Sequence, residues 1–232
     1  MTPARVDPTA LWLLVTIAAY WFGTWCYEQG GRNALLNPWI IALVIVLLVL
    51  LATGTPYAAY ADGVAFLNWL MGPAVVAIAV PLYQSLRQIR ATLAPALVVV
   101  GVGAVTSVVA GAGLAALAGA DRALVAAMAP KSVTTPVALQ IAERVGGIEA
   151  LTAVFVALTG IVGVLTSTGV CRLLKVTDHR AQGLVLGVTA HLLGVARGFS
   201  LSREMGTFAA VGMGVGALLV ALVLPLVLAL LG

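Results

Sequence analysis

From Gly206 to Leu231 the chain runs without a single charged residue, and Trp39–Ala52 does the same. No other feature limits the fold so strongly. A helix needs about 20 mostly apolar residues to cross a hydrocarbon core of roughly 30 Å. The rest of the chain is of the same kind, 62% hydrophobic and 9% charged, where soluble domains are roughly half apolar and about a quarter charged. The expected fold is all-α: a polytopic transmembrane helical bundle, one transmembrane domain over residues 1–232. It is expected as a multi-pass protein of the inner (cytoplasmic) membrane, with the lipid bilayer as its surroundings.

Eight apolar segments stand out, at about 9–27, 38–53, 63–85, 91–119, 121–145, 149–173, 180–197 and 206–231. Charged or turn-forming residues separate them, and the connectors are too short for a soluble appendage. One or more segments can turn back rather than span. If all span, Arg5, Arg122, Arg172, Lys175 and Arg180 face one side. Arg32, Arg87, Arg90, Arg144, Arg197 and Arg203 then face the other, so the positive-inside bias gives no orientation. The first segment holds Trp12, Tyr20, Trp21 and Trp25, which suit a retained, aromatic-anchored span rather than a cleaved signal.

Composition also excludes functions. The net charge of +4 sits singly or in small groups at segment ends, as interface anchors do, and no basic face exists to bind nucleic acid. Cys26 and Cys171 are isolated, so neither a disulfide nor a metal site is expected. No phosphate-binding loop, paired intramembrane carboxylates or Ser/His/Asp spacing is present. No cofactor is expected, and the chain is not read as an enzyme.

Two segments are broken by proline pairs. One reads MGPAVVAIAVPLYQ, with Pro73 and Pro81; the other reads MAPKSVTTPVALQ, with Pro130 and Pro136. Interior proline removes a helical hydrogen bond and clashes with the preceding turn. In lipid such a break survives only where protein or a wet cavity satisfies the freed backbone. Each break opens on a Met-small-Pro triplet and is followed by a helix rich in small residues. Paired interruptions of this kind point to an internal repeat and a site near the midplane.

The second break carries the chemistry. If its two halves span, Lys131 lies near the bilayer centre, where a lone charge costs at least about 2.5–3.5 kcal/mol. Thr135 is placed to cap the following helix, with Pro136 in its first turn. Lys131, Ser132, Thr134, Thr135 and the new helix N-terminus then form a positive cluster of donors suited to a carboxylate. The competing reading is a surface loop with Lys131 snorkelling. His191 is a second polar island, either a proton relay or substrate donor or a histidine bonded to a neighbouring helix. Asn68, Gln140 and Arg197 are secondary candidates, with Gln84 beside them.

Three stretches resemble the CidB/LrgB membrane proteins. They are PKSVTTPVALQIAERVGGIEALTAVFVALTGIVG (Pro130–Gly163), MGPAVVAIAVPLYQ (Met71–Gln84) and GLVLGVTAHLLGVAR (Gly183–Arg197). The resemblance covers roughly residues 34–232. Ala190 stands where the family's serine precedes the histidine, and Val195 where it has a threonine. The resemblance implies one of two functions. One is a holin/antiholin-like regulator of murein hydrolase activity and lysis, acting with a small LrgA/CidA-type partner. The other is a carrier of small monocarboxylates, like the plastid glycolate/glycerate translocator and bacterial pyruvate-uptake relatives. The buried donor cluster favours a secondary transporter or facilitator of a 2-oxo or 2-hydroxy acid, with Lys131, Ser132, Thr134 and Thr135 holding the carboxylate. His191 is expected in the same cavity, with a proton or cation as coupling ion, and Pro73 and Pro81 at the opposing break. A homo-oligomer is expected.

Overall fold

The computed structural model describes residues 8–231, without the side chains of 8–9, 34, 68, 71, 75 and 225–231. The described residues are helical, with no strand among them. They gather into two compact units that divide between Ala79 and Val80.

The N-terminal unit holds α1 (Pro8–Gln29), a short 3-10 turn (Ala34–Leu36), α2 (Pro38–Thr53), α3 (Tyr57–Gly63) and α4 (Ala65–Ala77). Asn37 starts α2 by accepting the Trp39 N–H at 3.0 Å, with Pro38 in the first turn. Gly54 ends it in the left-handed conformation, φ 63°. Trp12 packs edge-on to Tyr60, ring centroids 5.7 Å apart. Pro73 lies inside α4, and the helix breaks at Ile78 before α5 (Ala79–Gln84), which contains Pro81. The proline pair therefore does flank an interruption.

The C-terminal unit continues with α6 (Leu86–Ala91), α7 (Leu93–Leu117), α8 (Arg122–Met128), α9 (Thr135–Val145), α10 (Glu149–Leu173), α11 (His179–Leu201) and α12 (Arg203–Leu231). Six described stretches are long and apolar enough to cross a membrane: Ala10–Gln29, Ala65–Gln84, α7, α10, α11 and Arg203–Leu224. Two expected crossings nevertheless turn back.

The first is the proline-broken segment. At about 1.5 Å per residue, α8 is roughly 10 Å long and α9 roughly 16 Å, so neither can span. Were they in line, Gly147 would stand a full α9 length beyond the break. Instead a Cβ on Gly147 would meet the Ala127 nitrogen at 2.8 Å. The Thr152 hydroxyl, in the first turns of α10, donates to the Ala127 carbonyl at 3.1 Å. The chain enters along α8, turns at 129–134, and returns along α9 to the level where α10 begins. Gly146 closes α9 in the left-handed conformation, φ 77°, with Gly147 N–H on the Ala142 carbonyl at 2.7 Å. The expectation of a traverse with a central break is corrected to a re-entrant hairpin, because composition does not distinguish a span from a hairpin of the same length.

The second is α11. His191 has φ 40° and ψ −126°, outside any helix. In a continuous helix residues eight apart are about 12 Å apart, yet the Leu186 carbonyl occupies the place a Gly194 Cβ would take. Gly183 and Gly198 would be about 22 Å apart, yet both lie against the Met205–Gly206 peptide of α12. Arg180 at the start of α11 reaches Glu204 at the start of α12, 3.7 Å away. So α11 is also a hairpin, folded at His191, with both ends beside the start of α12.

The unit thus repeats a pattern. Spans α7 and α10 are 25 residues each. Each is followed by a left-handed residue, Gly119 (φ 78°) or Lys175 (φ 55°). An aspartate then caps the next helix: Asp121 accepts from Leu124 N at 2.7 Å and Asp178 from Arg180 N at 2.8 Å. A hairpin follows each. Along α7, Gly103 meets Val188 and Gly111 meets Lys131. Along α10, Gly163 meets Thr189–Ala190 and Thr152 meets Ala127. The two spans run antiparallel, so the hairpins enter from opposite ends. Internal repeats of inverted direction are a common build of secondary transporters. Packing holds α7 to the first hairpin, α10 and α12 through Ala104, Val108, Ala112, Val133, Ala138, Val156, Val220 and Leu224.

Candidate functional site

The hairpin tips meet a cavity of about 810 Å³. Its walls come from α7 (Gly103, Thr106, Ser107, Ala110), the first tip (Met128, Lys131, Ser132), α10 (Phe155, Leu158, Thr159, Val162, Gly163, Thr166) and α11 (Val188, Thr189). The frame is apolar, with one cation and several hydroxyls set into it.

Lys131 is the cation. Its Nζ donates to the Ser107 carbonyl at 3.0 Å and to Ser107 Oγ at 3.1 Å. Gly111, one turn on, makes the room: a Cβ there would meet Nζ at 2.8 Å. The Ser107 and Ser132 hydroxyls are hydrogen-bonded to each other. An ammonium has three N–H groups, and two are directed at Ser107, which leaves one for a ligand. Among the described residues Lys131 has no carboxylate partner; the ion pairs join Arg180 to Asp178 and Glu204 at the base of the second hairpin.

The other expected residues are distributed differently. Pro130 is fully buried beside the tip. α9 starts one residue earlier than expected: Thr134 is its N-cap, without a side-chain bond, and Thr135 and Pro136 open the first turn. Neither threonine lines the cavity. Gln140 is exposed on α9. Gln84 bonds Arg203 instead, and the Asn68 side chain lies outside the described residues. Arg197 is buried on the returning leg of the second hairpin, 6% exposed.

His191 does not line the cavity. It is 5% exposed, and its Nε2 is 3.1 Å from the Val156 carbonyl. A carbonyl only accepts, so Nε2 carries the proton and donates. Gly160 admits the ring: a Cβ there would lie 2.8 Å from Cε1 and Nε2. A residue at the fold of a helix, in a backbone region that glycine favours, is here tied to the neighbouring span. His191 and Lys131 thus stand at the tips of different hairpins, one anchoring and one facing the cavity.

Sequence reading missed Ser107, Thr106, Thr159 and Thr166 as wall residues. They are small hydroxyl residues inside long apolar helices, which by themselves read as packing. Among the described residues no cluster of three His, Cys, Asp or Glu could hold a metal ion, and Cys26 and Cys171 are free.

Residues 16–230 match the LrgB-like family. YwbG, an uncharacterized protein of Bacillus subtilis strain 168, is 30% identical over 93% of this chain and 96% of its own length. YxaC from the same organism is 33% identical over 93% of each chain. The holin-like protein CidB of Staphylococcus epidermidis RP62A is 28% identical over 94% of this chain and 95% of its own. No solved structure matches.

Proposed function

We propose that this chain, which belongs to the LrgB-like family, is a secondary transporter or facilitator that carries small monocarboxylates across the inner (cytoplasmic) membrane. Its family and its apolar helices make it a multi-pass membrane protein; the substrate, its route and the particular membrane are our reading. One observation carries it: Lys131 stands at the tip of a re-entrant hairpin, on the wall of a largely apolar cavity, without a carboxylate partner among the described residues. A charge at that depth costs at least about 2.5–3.5 kcal/mol, and an incoming carboxylate offsets it. Non-helical backbone at membrane depth is tolerated where it lines a cavity. The N-terminal end of α9 adds free N–H groups and the positive end of its dipole.

In this reading Lys131 and Ser132 hold the carboxylate, with Ser107 as the rest on which Lys131 parks when the site is empty. Thr134 and Thr135 set the start of α9 and aim its N–H groups. His191 fixes the second tip against α10 and does not touch substrate. The opposed hairpins are the two walls that open in turn, with a proton or cation as the co-transported ion.

A second reading is favoured by the relatives named holin-like protein CidB: a regulator of lysis working with a small LrgA/CidA-type membrane partner. Uptake of labelled pyruvate, glycolate and lactate by the purified chain in proteoliposomes, with and without a proton gradient, separates the two. The carrier gives saturable uptake that the other acids compete away. Leak that never saturates and admits unrelated solutes removes the carrier reading in favour of the second.

A further inference from the structure

Lys131 addresses the carboxylate end of an acid; the far end of the same cavity has its own chemistry. We propose that Thr189 reads the oxygen on carbon 2 and makes the site selective for 2-hydroxy over 2-oxo monocarboxylates, an inference that rests on the carrier reading above.

Helix α7 serves as a ruler. Lys131 Nζ sits 3.0 Å from the Ser107 carbonyl. Val188, next to Thr189 in the chain, lies against Gly103, where a Cβ would meet its Cγ1 at 3.1 Å. Gly103 and Ser107 are one turn apart, a rise of about 6 Å. That matches the span of a three-carbon acid lying with its carboxylate on Lys131 and its second carbon toward Thr189. Both side chains line the cavity, and Thr189 is exposed to it rather than packed away.

The polarity of Thr189 is fixed by its own helix. Its hydroxyl donates to the Val185 carbonyl at 2.7 Å. A hydroxyl has one proton, so Thr189 meets a ligand with lone pairs only. Thr166, on the α10 wall of the cavity, is committed in the same way to the Val162 carbonyl at 2.7 Å. A 2-hydroxyl group donates to such an acceptor. A 2-oxo group has no proton and turns lone pairs against lone pairs. One neutral hydrogen bond gained by one ligand and denied to the other is worth roughly a three- to tenfold preference.

The test is competition in proteoliposomes holding the full chain, with labelled L-lactate as the carried acid and unlabelled L-lactate, pyruvate and propionate as competitors. Propionate carries no oxygen on carbon 2 and reports the carboxylate end alone. Lactate should compete better than pyruvate by roughly three- to tenfold. Thr189→Val, of nearly the same shape, should bring the two to equal potency, and Thr189→Ser should restore the gap. Equal or reversed potency in the unaltered protein overturns the selectivity. A gap that survives Thr189→Val overturns the assignment to Thr189. If none of the three acids is carried or competes, the carrier reading itself falls, and this inference with it.

Discussion

The two hairpins of the C-terminal unit do the same topological job by different means. The first turns in a six-residue loop between α8 and α9, bounded by Pro130 and Pro136, and puts Lys131 and Ser132 on the cavity. The second turns at one residue, His191, with no proline near it, and keeps that residue buried. Glycines make its fold possible: Gly183, Gly187, Gly194 and Gly198 all stand where a neighbouring backbone leaves no room for a Cβ. The proposed carrier needs a polar tip on one side only. The other tip needs to be held, and a histidine on a helix carbonyl holds it. Two interrupted helices in one repeat architecture therefore need not carry equivalent chemistry.

The sharpest way to break that contrast is to remove the charge from the functional tip. Lys131→Gln, one bond shorter, keeps a neutral N–H donor and removes the cation. Carboxylate uptake should fall by a hundredfold or more, on the order of the 3 kcal/mol or so that a charged hydrogen bond carries. The protein should still insert and elute as the unaltered chain does. Undiminished uptake by Lys131→Gln would falsify the assignment of the site.

The next effect tests the held tip. An alanine Cβ at Gly194 would take the place of the Leu186 carbonyl oxygen and come within 2.6 Å of its carbon. Backbone cannot yield as a side chain can, and overpacking of this kind costs about 1–3 kcal/mol or more. Gly113, on α7, has nothing within 4 Å of such a Cβ, and a helical Gly→Ala change there should stabilise by about 0.5–1 kcal/mol. Thermal melting in detergent compares them. If Gly194→Ala melts no lower than Gly113→Ala, α11 is not folded as described.

How far the sequence announces these features differs between the hairpins. The span limits were legible: α2 and α10 fall where the apolar runs put them, at 38–53 and 149–173, because charges and turn formers punctuate an otherwise uniform chain. The break at 129–134 was legible from its prolines and its lysine. Its reversal was not, since whether α9 continues or returns depends on Gly147 packing against Ala127, a long-range contact without local signature. The second hairpin was invisible for a stronger reason. Around His191 the residues are apolar or small, helix-compatible in any window, and only tertiary packing puts one of them at φ 40°. Ser107 was missed because its importance comes entirely from what reaches it.

A finer probe of the held tip separates its backbone from its side chain. His191→Ala loses the hydrogen bond to Val156 and keeps the unfavourable conformation; His191→Gly loses the bond and relieves the backbone. Residues in such regions cost of order 1–3 kcal/mol. After allowing for the greater chain entropy of glycine, His191→Gly should be the more stable of the two by about 1 kcal/mol. Equal melting temperatures would mean that the fold of α11 carries no strain at this residue.

The smallest effect lies at the base of the second hairpin, outside the span. Asp178 accepts the Arg180 backbone N–H at 2.8 Å and its guanidinium at 3.3 Å. The Arg180 backbone N–H and then its side chain hold the Asp178 carboxyl below the ordinary range. A carboxylate with a lowered native pKa contributes stability that is complete above the unfolded value, about 3.9, and is lost as pH falls through the native one. The contribution is small, because the Asp178 side chain is 51% exposed and solvent screens it. Asn caps helices nearly as well as Asp, so Asp178→Asn should leave the neutral-pH melting temperature almost unchanged. It should remove only the part of the acid sensitivity that appears below about pH 4. The corresponding cap of the first hairpin, Asp121, bonds one backbone N–H, that of Leu124, among the described residues. If Asp178→Asn leaves the acid limb of the melting curve unchanged, the arginine beside Asp178 contributes nothing to it.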